Sequence, residues 1–167
     1  MKWVTRQFVH VDRTACPWLI KKYIDANAEF LFVPVEKIED MVKKEKAIPY
    51  DAPNVELGHH GDKCSFDAIV EKYKINDLAV LELAKIVRAA DTNKMETVPE
   101  AAGMKAIMEG TVMMAKDDHE AIERARPIYD ALYTNCKLKL IRDKHKDEIE
   151  KMDRKQQREF FKKKLAE

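Results

Sequence analysis

Residues 3–11 read Trp3-Val4-Thr5-Arg6-Gln7-Phe8-Val9-His10-Val11, a loosely alternating run whose apolar members include Val4, Phe8, Val9 and Val11. The pattern predicts a strand leading into Asp12-Arg13. Pro17 suits a first helical position, and Leu19, Ile20, Tyr23 and Ile24 then share one helical face. Phe30-Leu31-Phe32-Val33, closed by Pro34, reads as a short buried strand, and residues 35–46 form an amphipathic helix through Ile38, Met41 and Val42. Strand, helix, strand, helix is therefore the expected order of the first half. The turn-rich connector Ile48-Pro49-Tyr50-Asp51-Ala52-Pro53-Asn54 leads to an expected third strand at residues 55–58.

Helices alone are expected after that. Ser65 is placed to cap a helix with Phe66, Ile69, Val70 and Tyr73 at i, i+3, i+4 and i+7. Asn76-Asp77 opens another, with Val80, Leu83, Ala84 and Val87 on one face, ending near Asp91-Thr92-Asn93. Thr97-Val98-Pro99-Glu100 has capping-box spacing and begins a Met-rich helix to Met114. Asp117-Asp118-His119-Glu120 opens a long helix through Ile122, Ala125, Tyr129, Leu132, Tyr133 and Cys136, with Pro127 as an expected kink. Beyond Cys136 the pattern continues as a charged helix that is solvated, packs as an arm on the body, or pairs with a second copy. The fold class is α+β: a small sheet with flanking helices in the N-terminal half and a helical C-terminal half ending in a long charged helix. Residues 1–136 form the domain, and residues 137–167 are its helical extension.

The chain has 167 residues, enough for one domain with its own core. Three cysteines and no hydrophobic leader point to free thiols in a reducing compartment, so a cytoplasmic protein is expected. No uncharged apolar run approaches the roughly 18–20 residues of a membrane helix, which excludes spanning. From Lys137 onward there are twelve Lys and Arg against seven Asp and Glu, which leaves residues 1–136 with a net charge of −4. An acidic body argues against a general nucleic-acid surface there; only the basic extension offers such contacts.

Residues 55–67, Val55-Glu56-Leu57-Gly58-His59-His60-Gly61-Asp62-Lys63-Cys64-Ser65-Phe66-Asp67, concentrate imidazole, carboxylate and thiol more densely than any other segment. Gly58 and Gly61 allow tight turns that aim neighbouring imidazoles at one point. Neutral imidazole with carboxylate is ligand chemistry for a divalent Fe, Mn or Zn ion. If residues 56–60 are extended, Glu56 and His60 share one face and His59 takes the other, so one ring points inward while its neighbour serves after the turn or supports a ligand. His119 lies in the first turn of its helix, where the dipole keeps a ring neutral as a ligand must be. Asp91 lies at a helix end whose dipole disfavours a carboxylate unless a cation is near; Arg88 one turn back and a metal ion are the two candidates.

The metal set is thus Glu56, His59, His60, Asp91 and His119, with Asp62 and Cys64 in reserve. Asp12-Arg13, at a strand end beside a helix start, is a common place for a binding residue, and Arg13 is suited to holding an oxyanion or to an ion pair with Asp12, Asp67 or Asp91. Arg13 and Arg88 are the groups available to stabilise negative charge in a reaction. Cys16 and Cys64 each precede a predicted helix, where a thiolate is favoured, and define a thiol-redox alternative. Cys136 falls on an apolar helix face.

Several strings resemble the chromate-resistance ChrB family, in its C-terminal domain: Val11-Asp12-Arg13 with Ala15-Cys16-Pro17-Trp18-Leu19-Ile20, Ala28-Glu29-Phe30-Leu31-Phe32-Val33-Pro34, and residues 58–67. Ala89-Ala90-Asp91-Thr92, Pro99-Glu100-Ala101-Ala102-Gly103, Asp117-Asp118-His119 and Tyr129-Asp130-Ala131-Leu132-Tyr133 extend the resemblance nearly from Trp3 to Cys136. It implies a role in bacterial chromate resistance. Longer members carry an additional N-terminal regulatory domain, which is not expected in this chain. The expected function is a metal-binding protein acting on a small oxyanion, an oxygen species or another small molecule, with whether it is an enzyme left open. The alternatives are a metal- or oxyanion-responsive regulator whose basic C-terminal helix contacts a partner or DNA, and a thiol redox protein; nucleic acid is otherwise not an expected partner, and the C-terminal helix is a candidate homodimer contact.

Overall fold

Trp3 and Val4 are neighbours in sequence, and both are fully buried. Successive residues of a strand face opposite sides, so the strand that holds them, β1 (Lys2–Arg6), is covered on both faces. Trp3 joins the large core and Val4 a smaller one. In the computed structural model, which describes residues 1–92 and 94–167, β1 is the middle of a three-stranded parallel sheet ordered β2-β1-β3. β2 (Glu29–Val33) pairs along its whole length, Lys2 opposite Glu29 and Arg6 opposite Val33, while β3 (Ile48–Pro49) adds two residues opposite Trp3 and Val4.

Helix α1 (Val11–Tyr23) crosses from β1 to β2, and α2 (Ile38–Glu45) crosses from β2 to β3 after a single 3-10 turn. The smaller core packs Ile38, Met41 and Val42 of α2 against Val4, Leu31 and Val33 of the sheet. On the other face α3 (Ser65–Lys72), α4 (Leu78–Asp91), α5 (Pro99–Met113) and α6 (Asp118–Lys144) complete a helical body around Leu19, Phe66, Ile69, Leu83, Met108 and Tyr129. This is the α+β class, with the sheet confined to the N-terminal half.

Three expectations are corrected. The strand ends at Arg6, and α1 starts at Val11, so Pro17 is inside the helix and not at its start. Val11, Ala15 and Leu19 form a buried i, i+4, i+8 stripe that outweighs a proline cost of about 3 kcal/mol. The third strand is Ile48–Pro49, within the expected connector; residues 55–58 make one parallel bridge, Leu57 to Tyr50. Proline without its N–H is tolerated there because β3 is an edge. The charged extension is not one long helix: α6 stops at Lys144, α7 (Lys146–Ile149) is one turn, and α8 (Arg154–Ala166) folds back along α6. The reversal covers aromatic surface, with Phe160 edge-on to His145 at 5.3 Å and Phe161 under the Arg142 guanidinium at 5.2 Å.

Side-chain caps mark several helix starts but not that of α5, where the box expected at Thr97 is absent and Val98 precedes Pro99 without a side-chain cap. Asp77 accepts from the Ala79 and Val80 amides at the start of α4, and Asp117 accepts from Glu120 at the start of α6. At α3 the cap is Cys64, with Asp67 closing the box, in place of Ser65. Asn93, in the predicted end of α4, lies outside the described residues.

Candidate metal centre

The carboxyl ends of β1 and β3 lie side by side, and the chain leaves them in different directions. In open parallel sheets such a divergence is where ligands bind. After β1 the chain turns into α1 and places Asp12 in its first turn; after β3 it places Asp51, two residues past Pro49. Asp51 and Asn54 have positive φ, 43° and 59°, a conformation these residue types accept more readily than most. Gly58 is required by close approach: a Cβ there would meet the Ala52 carbonyl oxygen at 2.9 Å. The loop so tightened carries His59 over the end of the sheet, and α4 ends with Asp91 at the same point.

Four side chains converge. His59 Nε2 lies 3.2 Å from Asp91 Oδ2, 3.3 Å from Asp51 Oδ1 and 3.4 Å from Asp12 Oδ2. Asp12, His59 and Asp91 each present a donor atom within 4.8 Å of the other two. Asp12 is 1% exposed, and its oxygens accept the Ser65 amide at 2.6 Å and the Phe66 amide at 3.0 Å, so the carboxylate rests on the amino end of α3. The Asp12 amide in turn donates to Asp91 Oδ1 at 3.3 Å.

Cations are unequally shared. Asp51 takes two, Arg13 Nε at 3.0 Å and Arg6 Nη2 at 3.3 Å. Neither Asp12 nor Asp91 has a Lys or Arg ion pair among the described residues; each has His59. Burial, then the charges of Asp12 and Asp51, push the Asp91 carboxyl up to about 6. Contact with the Asp12 carboxylate, reinforced by Asp91 and Asp51 and opposed by burial, raises His59 to about 9. Burial followed by the charge of Asp12 also raises Asp51. The imidazolium thus occupies the position of a cation among carboxylates that lack one.

Of the residues expected to ligate, the structure brings His59 and Asp91 together. It does not gather the others with them. His60 is not in that group: its Nε2 lies 2.7 Å from the Glu56 carbonyl oxygen, and the Glu56 side chain pairs with Lys72 at the surface. His119 stands edge-on to Phe32 at 5.0 Å, beside β2. The amino end of α6 is fixed near that strand because Asp118 accepts the Phe8 and Val9 amides. Asp62 is exposed and pairs with Lys94.

Arg13 is engaged by Asp51, and Arg88 turns to Asp67 at 3.0 Å, leaving Asp91 to His59. Cys16 and Cys64 are fully buried, and burial with the nearby Asp12 charge drives both thiols up in pKa, the reverse of the lowering expected from their helix starts. Neither has the exposed, low-pKa setting in which a reactive thiolate is found.

Sequence reasoning missed Asp12 and Asp51 as members of the centre. Asp12 had a signal, its strand-to-helix position. Asp51 had none while its neighbours Ile48-Pro49 were read as a turn; placing them in a strand puts Asp51 at a strand end. Beside the centre lies a cavity of about 650 Å³ whose lining includes Arg6, Asp51, Asn54, Glu56, His59 and His60.

Fold and site together define a small α+β domain with an acid–imidazole centre at the carboxyl edge of its sheet. The chain belongs to the chromate-resistance ChrB family: the model of the ChrB C-terminal domain matches residues 3–136. It is similar to Protein ChrB of Cupriavidus metallidurans, 29% identical over 136 residues that cover 80% of this chain and 40% of that protein. The chain therefore spans less than half the length of that relative. No solved structure matches. Among the described residues no helix is long and apolar enough to cross a membrane.

Proposed function

We propose that this chain is a metal-binding protein of the chromate-resistance type, holding one divalent Fe, Mn or Zn ion between Asp12, His59 and Asp91. The observation that carries this reading is that the buried Asp12 and half-buried Asp91 carboxylates, neither paired with Lys or Arg among the described residues, converge with one exposed imidazole within 4.8 Å. Uncompensated buried carboxylate is costly, and a cation among these donors relieves it. Two oxygens and one nitrogen suit all three metals, and three protein ligands leave coordination positions open. Asp51 stands behind the ligands and ties Arg13 to the site, orienting groups as outer partners of a metal site do. The neighbouring cavity gives room for a small oxyanion or oxygen species, and Arg6 is the guanidinium on its wall. Free buried thiols fit a reducing, cytoplasmic setting.

Titration calorimetry of untagged protein with Mn, Fe(II) and Zn tests the reading. One ion per chain is expected, with His59→Ala and Asp91→Asn each weakening binding by at least about 10-fold to 100-fold and His60→Ala and His119→Ala leaving it unchanged. Because His59 must lose its proton to ligate, affinity should rise by up to about tenfold per pH unit between pH 7 and 9. Unchanged affinity in both His59→Ala and Asp91→Asn overturns the site.

A further inference from the structure

Helix α8 carries six Lys and Arg against one Glu. Arg154, Lys155, Arg158 and Lys162 are all exposed. At 3.6 residues per turn they fall within an arc of about 100°, and Arg154, Arg158 and Lys162 succeed one another at about 6 Å along the axis. No acidic residue of α8 lies in that arc. Several cations elsewhere on the surface are paired: Lys2, Lys21, Lys43 and Lys94 each hold a carboxylate. The four on α8 make no ion pair among the described residues. They also lie outside residues 3–136, the part that matches the family.

We propose that this face of α8 is a docking surface for the phosphate backbone of duplex nucleic acid. Charge complementarity and composition select that partner. A regular row of cations, two of them Arg with fork-shaped donors, matches a regular row of phosphates. A protein partner needs apolar or aromatic anchors at the centre of its interface, and the arc between Arg154 and Lys155 carries four exposed cations with a single half-buried apolar residue, Leu165, at its far end. An anionic membrane bound by an amphipathic helix needs the apolar face free. Here Phe160 and Phe161 are occupied by His145 and Arg142 of the α6 end, and Gln157 is tied to the Ile149 and Met152 carbonyls. The acidic net charge of residues 1–136 confines the contact to the extension. Recognition is of backbone charge, without base readout.

The test is fluorescence anisotropy of the full chain with labelled DNA and RNA duplexes of equal length, between 50 and 200 mM salt. Binding in the roughly micromolar to 100 micromolar range is expected, with log affinity falling against log salt at a slope of about −3 to −4 for four phosphate contacts. The combined variant Arg154→Gln, Arg158→Gln, Lys155→Gln and Lys162→Gln should bind at least tenfold more weakly and lose most of the slope, while Lys43→Gln with Lys44→Gln on α2 should bind as the parent does. Absence of binding to both duplexes at 50 mM salt overturns the proposal. So does equal binding by the α8 variant, or tighter binding to phosphatidylglycerol vesicles than to either duplex. All four side chains point into solvent, so an unchanged helical circular dichroism signal ties any loss to charge. The metal centre is not involved, and either result leaves that reading where it stands.

Discussion

At the carboxyl edge of the sheet three carboxylates meet one imidazole, with Asp12 1% and Asp51 3% exposed, whereas α8 carries six cations against one Glu and holds Arg154, Lys155, Arg158 and Lys162 in open water. Both regions are unbalanced in charge, but only one has had to be built around the imbalance. In the interior, where the effective dielectric constant is low, unmatched charge is expensive. Asp12 is accordingly lodged on the backbone amides of α3, Asp51 holds two guanidinium groups, and Asp91 and His59 both hold their protons more tightly than usual. On α8 water and salt screen the cations beyond a Debye length of roughly 8 Å, and among the described residues Arg154, Lys155, Arg158 and Lys162 have no ion-pair partner. Charge imbalance at depth is therefore paired with structure, and charge imbalance at the surface is left available to a partner.

Removing Asp12 should have the largest effect. Asp12→Ala leaves the Ser65 and Phe66 amides buried without acceptors, at about 1–3 kcal/mol each, and at about 2–4 °C per kcal/mol the melting temperature should fall by roughly 5–20 °C. Asp12→Asn keeps a carbonyl oxygen for one of the two amides and should lose about half as much; equal melting temperatures for Asp12→Ala and the parent in calorimetry refute the role given to α3.

A smaller effect sharpens the account of the centre. His59 and Asp91 both bind protons more tightly when folded, so each contributes stability at low pH that disappears as pH rises. For Asp91 the loss runs from about pH 4, its ordinary range, to about 6. For His59 it runs from about 6.5 to about 9. Metal-free protein should thus melt at progressively lower temperature between pH 6.5 and 8.5, and His59→Gln should flatten that decline. Saturating metal should reverse it. A parent whose melting temperature is constant or rising over this interval without metal contradicts the proton placement.

The smallest effect belongs to the surface. Arg158→Gln and Lys162→Gln should each change stability by less than about 0.5 kcal/mol, read as nearly coincident thermal denaturation curves. A loss several times larger means that these cations are structural.

The parts of the fold legible in the sequence were those set by local rules. The i, i+3, i+4, i+7 spacing of Phe66, Ile69, Val70 and Tyr73 located α3, and Asp77 and Asp117 marked the helices they cap. Pro17 misled because a cost paid locally was outweighed by the buried stripe of α1, which the first strand's expected length had hidden. β3 was illegible because two residues with a proline carry no period, and their pairing with β1 is a contact across the chain. The centre divided along the same line. His59 and Asp91 were readable from residue type and helix position. Asp51 depended on where β3 ends, while nothing in an adjacent His59-His60 pair says which ring turns inward.

The fully buried thiols of Cys16 and Cys64, with Cys136 at 2% exposure, turn the chain into its own clock. An alkylating reagent can reach them only through an opening of the helical body, so the rate at which each sulfur is capped reports how often the neighbouring core breathes, with no probe added to the molecule.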